Sequence, residues 1–216
     1  MDNFAINPQT LASELTERAA KERGKRFLLG LVGIPGGGKS TLADRLLIAI
    51  NSIKPGIVVV APMDGFHYPN QLLDTMGLRS RKGASKTFDV TAYVKLLEAA
   101  KDVSQSPAFP IYDRELHEPR YTNQPQHIIG PEVEIVITEG NYLLLNDDGW
   151  ADVRKHLDAC WYLDTDLAQA REWVIGRHIK GGRSPEEADA QYERNDLPNA
   201  EQVIASSVRA DRILHW

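Results

Sequence analysis

Short, uninterrupted apolar runs alternate along this chain with segments whose apolar residues recur at helical spacing. The runs are "RFLLGLVG" (26–33), "GIVVVAP" (56–62), "VEIVITEG" (133–140) and "ACWYLDT" (159–165). Continuous rather than alternating hydrophobicity is the signature of strands covered on both faces. After the first run, Leu42, Leu46, Leu47 and Ile50 switch to helical period, and "DVTAYVKLLEAAKD" and "DLAQAREWVIGRHIK" read as further helices. Leu11, Leu15 and Ala19 predict an N-terminal helix over residues 8–23, closed by Gly24. In "SPEEADAQY", Ser184 as cap, Pro185 as first helical residue and Glu187 three positions on form a capping-box pattern. "AFPIYD" is a short strand candidate weakened by Pro110, and "ADRILHW" a last edge strand.

Strands that alternate with helices predict an α/β protein with a mostly parallel sheet and helices on both faces, in three layers. The 216 residues fit a single domain, 1–216, with a small helical lid at about 177–186. A hydrophobic fraction of 42% supports a substantial core, and a net charge of -5 argues against nucleic acid as a partner. No apolar run is long enough for a membrane span, and the polar N-terminus has no signal-peptide core. With one cysteine, Cys160, in a buried strand pattern, a cytoplasmic location without membrane contact is expected. A homodimer is compatible with these features.

The segment "GIPGGGKST" (33–41) is too poor in side chains to serve packing. It satisfies G-x-x-x-x-G-K-S, placed between a buried strand and an amphipathic helix, which is the context that makes the motif specific. Gly33, Gly36, Gly37 and Gly38 let backbone N–H groups turn inward around phosphate at a helix N-terminus. Lys39 is placed to reach the β- and γ-phosphates, the Ser40 hydroxyl to ligate Mg²⁺, and Thr41 to touch the α-phosphate. The donor is therefore a triphosphate with Mg²⁺.

Phosphate binding does not by itself separate a kinase from a switch or a motor. Two carboxylates sit at strand ends, where open α/β sheets place their ligands: Asp64 after "VVVAPM" and Glu139 after "IVIT". Asp64 is the candidate base for an acceptor hydroxyl, and Glu139 the candidate for the metal or its waters. Two basic clusters follow. Arg79, Arg81, Lys82 and Lys86 lie in "GLRSRKGASK"; Arg171, Arg177, Lys180 and Arg183 lie in "REWVIGRHIKGGR". The second leaves a helix through Gly181 and Gly182 and enters another at Ser184, the pattern of a hinged lid carrying arginines over a phosphate.

"MDGFHYPNQLLDTMGLRSRKGASKTFDVTAY" resembles the corresponding stretch of bacterial pantothenate kinase. Together with the glycine loop, "ITEGNYLL" and "RHIKGGRS", the chain resembles the P-loop kinase group of uridine kinase, phosphoribulokinase and bacterial pantothenate kinase over residues 27–196. It looks most similar to the branch named fructose-transport-system kinase. The resemblance implies a P-loop NTPase fold, ATP and Mg²⁺ as cofactors, and a small-molecule acceptor. It implies catalytic roles for Lys39, Asp64, Glu139, Arg177 and Arg183, and a nucleotide contact for Arg171. It also implies an acceptor pocket made with Asp64, His67, Asp89, Tyr112, Arg114 and Tyr142, and a metal site at Ser40 and Glu139. Where uridine kinases carry a His-Pro element, this chain reads "KTFDVTAY", which disfavours a nucleoside. The expected activity is ATP-dependent phosphorylation of a hydroxyl on a sugar such as fructose or a similar small polar metabolite. Pantothenate and nucleoside kinases are the alternatives within this class. A nucleotide-gated regulator that transfers nothing is the alternative outside it.

Overall fold

The computed structural model describes residues 6–22, 24–122, 124–147 and 149–215. Arg23, at the end of the expected first helix, and Trp216, at the end of the expected last strand, lie outside those residues.

The chain runs α1 (Pro8–Ala19), β1 (Phe27–Gly33), α2 (Lys39–Ile53), β2 (Val58–Val60), α3 (Asn70–Thr75), α4 (Val90–Lys101), β3 (Ile111–Asp113), β4 (Glu118–Arg120), β5 (Ile135–Gly140), α5 (Trp150–His156), β6 (Ala159–Asp164), α6 (Leu167–Lys180), α7 (Pro185–Gln191), α8 (Leu197–Ser206) and β7 (Arg212–His215). Five strands form one parallel sheet in the order β2-β5-β1-β6-β7. Every residue of β1 and β5 is buried, as continuous apolar runs require.

Alternate residues of β1 feed two separate cores. Leu28 and Val32 pack with α4, α5 and α8 on one face. Phe27, Leu29 and Leu31 pack with α1 and α2 on the other. The three-layer α/β architecture with helices on both faces is thus present. At the N-terminal edge of β1, fully buried Arg26 donates to the carbonyls of Val133, Ala100, Asp102, Gln105, Ile129 and Gly130. Its five N–H donors let one side chain satisfy carbonyls from two segments, the end of α4 with the turn after it and the approach to β5.

Two expectations change, and a third, the lid, gains structural detail. α1 ends at Ala19 rather than at residue 23, because the buried face of Leu11, Ala12, Leu15 and Ala19 stops there and the polar residues beyond gain nothing from helical packing. "AFPIYD" contributes β3, but outside the main sheet: β3 pairs antiparallel with β4 as a separate hairpin. The segment expected as a lid at 177–186 is the junction within a longer helical arch. α6 leads through the Ser184 capping box into α7, a π-helical turn (Tyr192–Asp196) and α8.

Candidate active site

The chain crosses from β1 to α2 through the glycine loop at the C-terminal end of the sheet's central strand, with strands crossing over to both sides. Gly36 and Gly38 have φ of 76° and 79°, a region that disfavours side chains. At Gly36 a Cβ would also lie 2.6 Å from the Ala170 carbonyl oxygen, so the loop packs directly against α6. Thr165, just after β6, donates its hydroxyl to the Gly37 carbonyl at 2.9 Å and ties the loop from the other side.

Lys39 is buried beneath this loop. Its ammonium donates to the carbonyls of Gly33 and Ile34 at 3.0 Å each and to Asn141 Oδ1 at 2.6 Å. Burial lowers its pKa; the charges of Glu139 and Asp64 oppose that shift, and Arg177 adds to it. Arg177 on α6 lines the same cleft as the loop lysine. Ser40 Oγ donates to Glu139 Oε1 at 2.9 Å. Burial, reinforced by the charge of Asp64, raises the Glu139 carboxyl above its usual range, while Lys39 and the Ser40 hydrogen bond pull it back.

Asp64 reaches this cluster on a one-turn 3-10 helix, Met63–Phe66, directly after β2. Two glycines make the approach possible. A Cβ on Gly140 would lie 2.6 Å from Met63 Sδ, and one on Gly65 would lie 2.1 Å from the Pro110 carbonyl oxygen. The turn thus closes on the end of β5 and on the β3–β4 hairpin together. The Asp64 carbonyl receives a hydrogen bond from His67 Nδ1 at 2.7 Å. Among the described residues no hydrogen bond from a side chain ends on the Asp64 carboxylate. His67 lies between the rings of Phe88 and Tyr112, and burial lowers its pKa, so it carries its proton on Nδ1 and presents Nε2 as an acceptor. Burial pushes the Tyr112 phenol up to about 12, aided by the Asp64 charge.

These groups line one cleft of about 1260 Å³. Of the expected site residues, Gly36, Gly37, Gly38, Lys39, Ser40, Thr41, Asp64, His67, Tyr112, Arg114, Glu139, Arg177 and Arg183 all face it. Four others are placed elsewhere. Gly33 lies under the loop, where its carbonyl accepts from Lys39. Asp89 is the N-cap of α4 and accepts from the Ala92 amide. Tyr142 is buried in the core and donates its hydroxyl to the Gly83 carbonyl at 2.6 Å. Arg171 pairs with Asp189 and lies over the Tyr192 ring, bracing α6 against α7 rather than facing the nucleotide cleft.

The cleft also holds groups to which the sequence assigned no role. Asn141, two residues beyond Glu139, receives the Lys39 ammonium; its only sequence signal was adjacency to a strand-end acid. Arg79 and Lys82 bring part of the first basic cluster to the cleft, where the Lys82 ammonium lies over the Tyr112 ring. Asn195, on the π-helical turn, donates to the Lys82 carbonyl at 3.0 Å, and its Oδ1 is buried without a partner among the described residues.

The donor set fits a magnesium-bound triphosphate. Mg²⁺ is ordinarily held by one or two protein oxygens together with phosphates and waters, and the Ser40–Glu139 pair offers a hydroxyl and a carboxylate side by side. Among the described residues no cluster of three or more His, Cys, Asp or Glu forms a cage for a metal by itself. Fold and site together define a P-loop phosphotransferase.

Comparison with known proteins narrows this class. Residues 3–91 match the family model described as methylmalonyl Co-A mutase-associated GTPase MeaB, a segment with the glycine loop and Asp64 that ends before Glu139 and α6. Over 193 residues the chain is 37% identical to the Escherichia coli protein YggC, covering 88% of this chain and 78% of that one. It is 36% identical over 220 residues to a Schizosaccharomyces pombe protein named "putative uridine kinase", covering 93% and 88%. A crystal structure titled "putative fructose transport system kinase", from Silicibacter, superimposes with a TM-score of 0.87 at 33% identity, covering 97% of this chain and 99% of the other. The chain belongs to the P-loop kinase family of these relatives, within the group of uridine and pantothenate kinases. It is an ATP-dependent phosphotransferase that acts on a hydroxyl.

Proposed function

We propose that this kinase phosphorylates a hydroxyl of a sugar such as fructose, or of a similarly small polyhydroxy metabolite, with the whole chain acting as one catalytic domain. The observation that carries this reading is the Asp64 carboxylate. It acts electrostatically on Lys39, Glu139, His67 and Tyr112 at once, yet no side chain among the described residues is hydrogen-bonded to it. An acid so placed can accept a proton from a hydroxyl brought against the γ-phosphate.

In this reading the acceptor oxygen forms a bond to the γ-phosphorus as the bond from that phosphorus to the β,γ-bridging oxygen breaks. The hydroxyl proton passes to Asp64, and ADP leaves. Mg²⁺, when bound beside Ser40 and Glu139, supplies charge neutralisation of the phosphates. Lys39 swings from its loop carbonyls to the phosphate oxygens, and Arg177 and Arg183 close over the charge in flight. His67 Nε2 is an acceptor suited to a further substrate hydroxyl.

A second reading has one specific support. Arg79, Lys82 and Arg114 all line the acceptor end, which suits an acceptor carrying a carboxylate or phosphate, pantothenate among them. Coupled ADP release from ATP–Mg²⁺, measured over neutral sugars, sugar acids, sugar phosphates, pantothenate and nucleosides, tests both. Turnover with neutral sugars supports the first reading. Turnover confined to acidic acceptors supports the second, and turnover confined to nucleosides overturns both.

A further inference from the structure

We infer that His178 is a positioning residue that sets the lid arginine Arg183, acting as the middle member of an Arg183–His178–Asp196 relay. Arg183 Nη1 lies 2.8 Å from His178 Nδ1, and His178 Nε2 lies 2.9 Å from Asp196 Oδ2. A guanidinium can only donate, so Nδ1 is the acceptor and carries no proton. The imidazole proton is then on Nε2 and is donated to the Asp196 carboxylate. The polarity runs one way, from guanidinium through neutral imidazole to carboxylate.

The two ends of the relay differ in mobility. Asp196 ends the π-helical turn and is buried, with a side chain only 10% exposed, beside His178 at 14%. Single π-turns inside helices recur at functional sites, and here the extra residue sets where Asp196 stands relative to α6. Arg183 sits on the exposed turn after α6, where Gly182 has φ of 96°. The backbone folds it back toward the imidazole: the Arg183 amide donates to the His178 carbonyl at 3.2 Å, and the Gly182 amide to the Ile179 carbonyl at 2.9 Å. A free arginine there would sample many rotamers, and ordering it costs side-chain entropy. The relay removes much of that cost before substrate arrives. Arg177, Lys180 and Arg194 line the same cleft, and Asp196 is the carboxylate that the imidazole reaches.

This inference rests on the kinase reading of the cleft, in which Arg183 contacts the transferring phosphoryl. Two amide variants separate positioning from packing. His178→Gln keeps a donor toward Asp196 and loses the acceptor for Arg183. His178→Asn puts an amide oxygen near Nδ1 and loses Asp196. The assay is ADP release from ATP–Mg²⁺, basal and with D-fructose, with melting temperatures measured alongside. Arg183→Ala is expected to lower kcat about a hundredfold. His178→Gln is expected to lower kcat about tenfold at nearly unchanged KM for ATP, without loss of stability. His178→Asn, which keeps the acceptor for Arg183 but loses the Asp196 anchor, is expected to lower kcat by a smaller factor, about threefold, and to be less stable, and His178→Gln to have no further effect in the Arg183→Ala background. A fully active His178→Asn, or an undiminished effect of His178→Gln without Arg183, would overturn the relay. A large loss in Arg183→Ala with a harmless His178→Gln would overturn the relay alone. A harmless Arg183→Ala would overturn the lid assignment and the relay together.

Discussion

Ser40 and Glu139, ninety-nine positions apart in sequence, meet through a 2.9 Å hydrogen bond from hydroxyl to carboxylate at the mouth of the glycine loop. That bond joins the first turn of α2 to the end of β5 and puts a hard-oxygen pair beside the phosphate lysine. The Glu139 carboxyl is raised by burial and by Asp64, and Lys39 and this hydrogen bond oppose the rise.

A raised carboxyl destabilises the folded state wherever the group is ionised in both states. The stability attached to this shift is fully present below the unfolded pKa of the carboxyl and is lost as pH rises through the higher folded value. Glu139→Gln is therefore expected to melt higher than the parent near neutral pH, with the gap shrinking as pH falls through the raised folded value toward the ordinary carboxylate range. Thermal melts across pH without nucleotide check this, and a gap that widens in acid contradicts it. The same variant should lose magnesium-dependent ADP release.

Asp64→Asn keeps the size of the side chain and removes the proton acceptor. General-base removal is expected to lower transfer about 10²–10⁴-fold. ADP affinity by calorimetry should be unchanged, because the loop and Lys39 are untouched. Full transfer activity in this variant would sink the role given to Asp64.

The contact of Gly65 with the Pro110 carbonyl leaves no space for a methyl group. Gly65→Ala must move the Asp64 turn or the β3–β4 hairpin, and overpacking of this kind costs about 1–3 kcal/mol. Because both elements carry acceptor-side residues, the acceptor KM should rise more than the KM for ATP. Equal changes in the two constants would show that the displacement spreads to the loop.

Arg26 lies at the opposite edge of the sheet from the site, and its hydrogen bonds go to backbone carbonyls there. Arg26→Met would strand several buried carbonyls and is expected to cost about 3 kcal/mol or more. Denaturant melts should report that loss, and ADP release per folded molecule should be preserved.

How much of this was legible follows from where each signal resides. The glycine loop is contiguous and its residues act through backbone and neighbours, so nine positions declare it. The parallel sheet follows from β1 and β5 being apolar throughout, since only a sheet covered on both faces tolerates such strands. Asp64 and Glu139 were found because strand ends in α/β sheets converge on the ligand, a rule of topology rather than of motif. Asn141, Thr165 and Asn195 were not, because each acts through a contact with a distant part of the chain that leaves no local pattern. Asp89, Tyr142 and Arg171 show the converse. Residues that look chemical beside a motif hold a helix cap, a core hydroxyl bond and a helix–helix brace.

The central claim is that this cleft transfers phosphate rather than only binding or hydrolysing the triphosphate. The most direct measurement is to incubate the protein with ATP–Mg²⁺ and the acceptor panel, then quantify ADP, inorganic phosphate and acceptor phosphomonoester in the same quenched samples. The account predicts one phosphomonoester formed per ADP with a polyhydroxy acceptor, little free phosphate, and loss of the ester in Asp64→Asn. ADP matched by inorganic phosphate alone, with no ester on any acceptor, would contradict it.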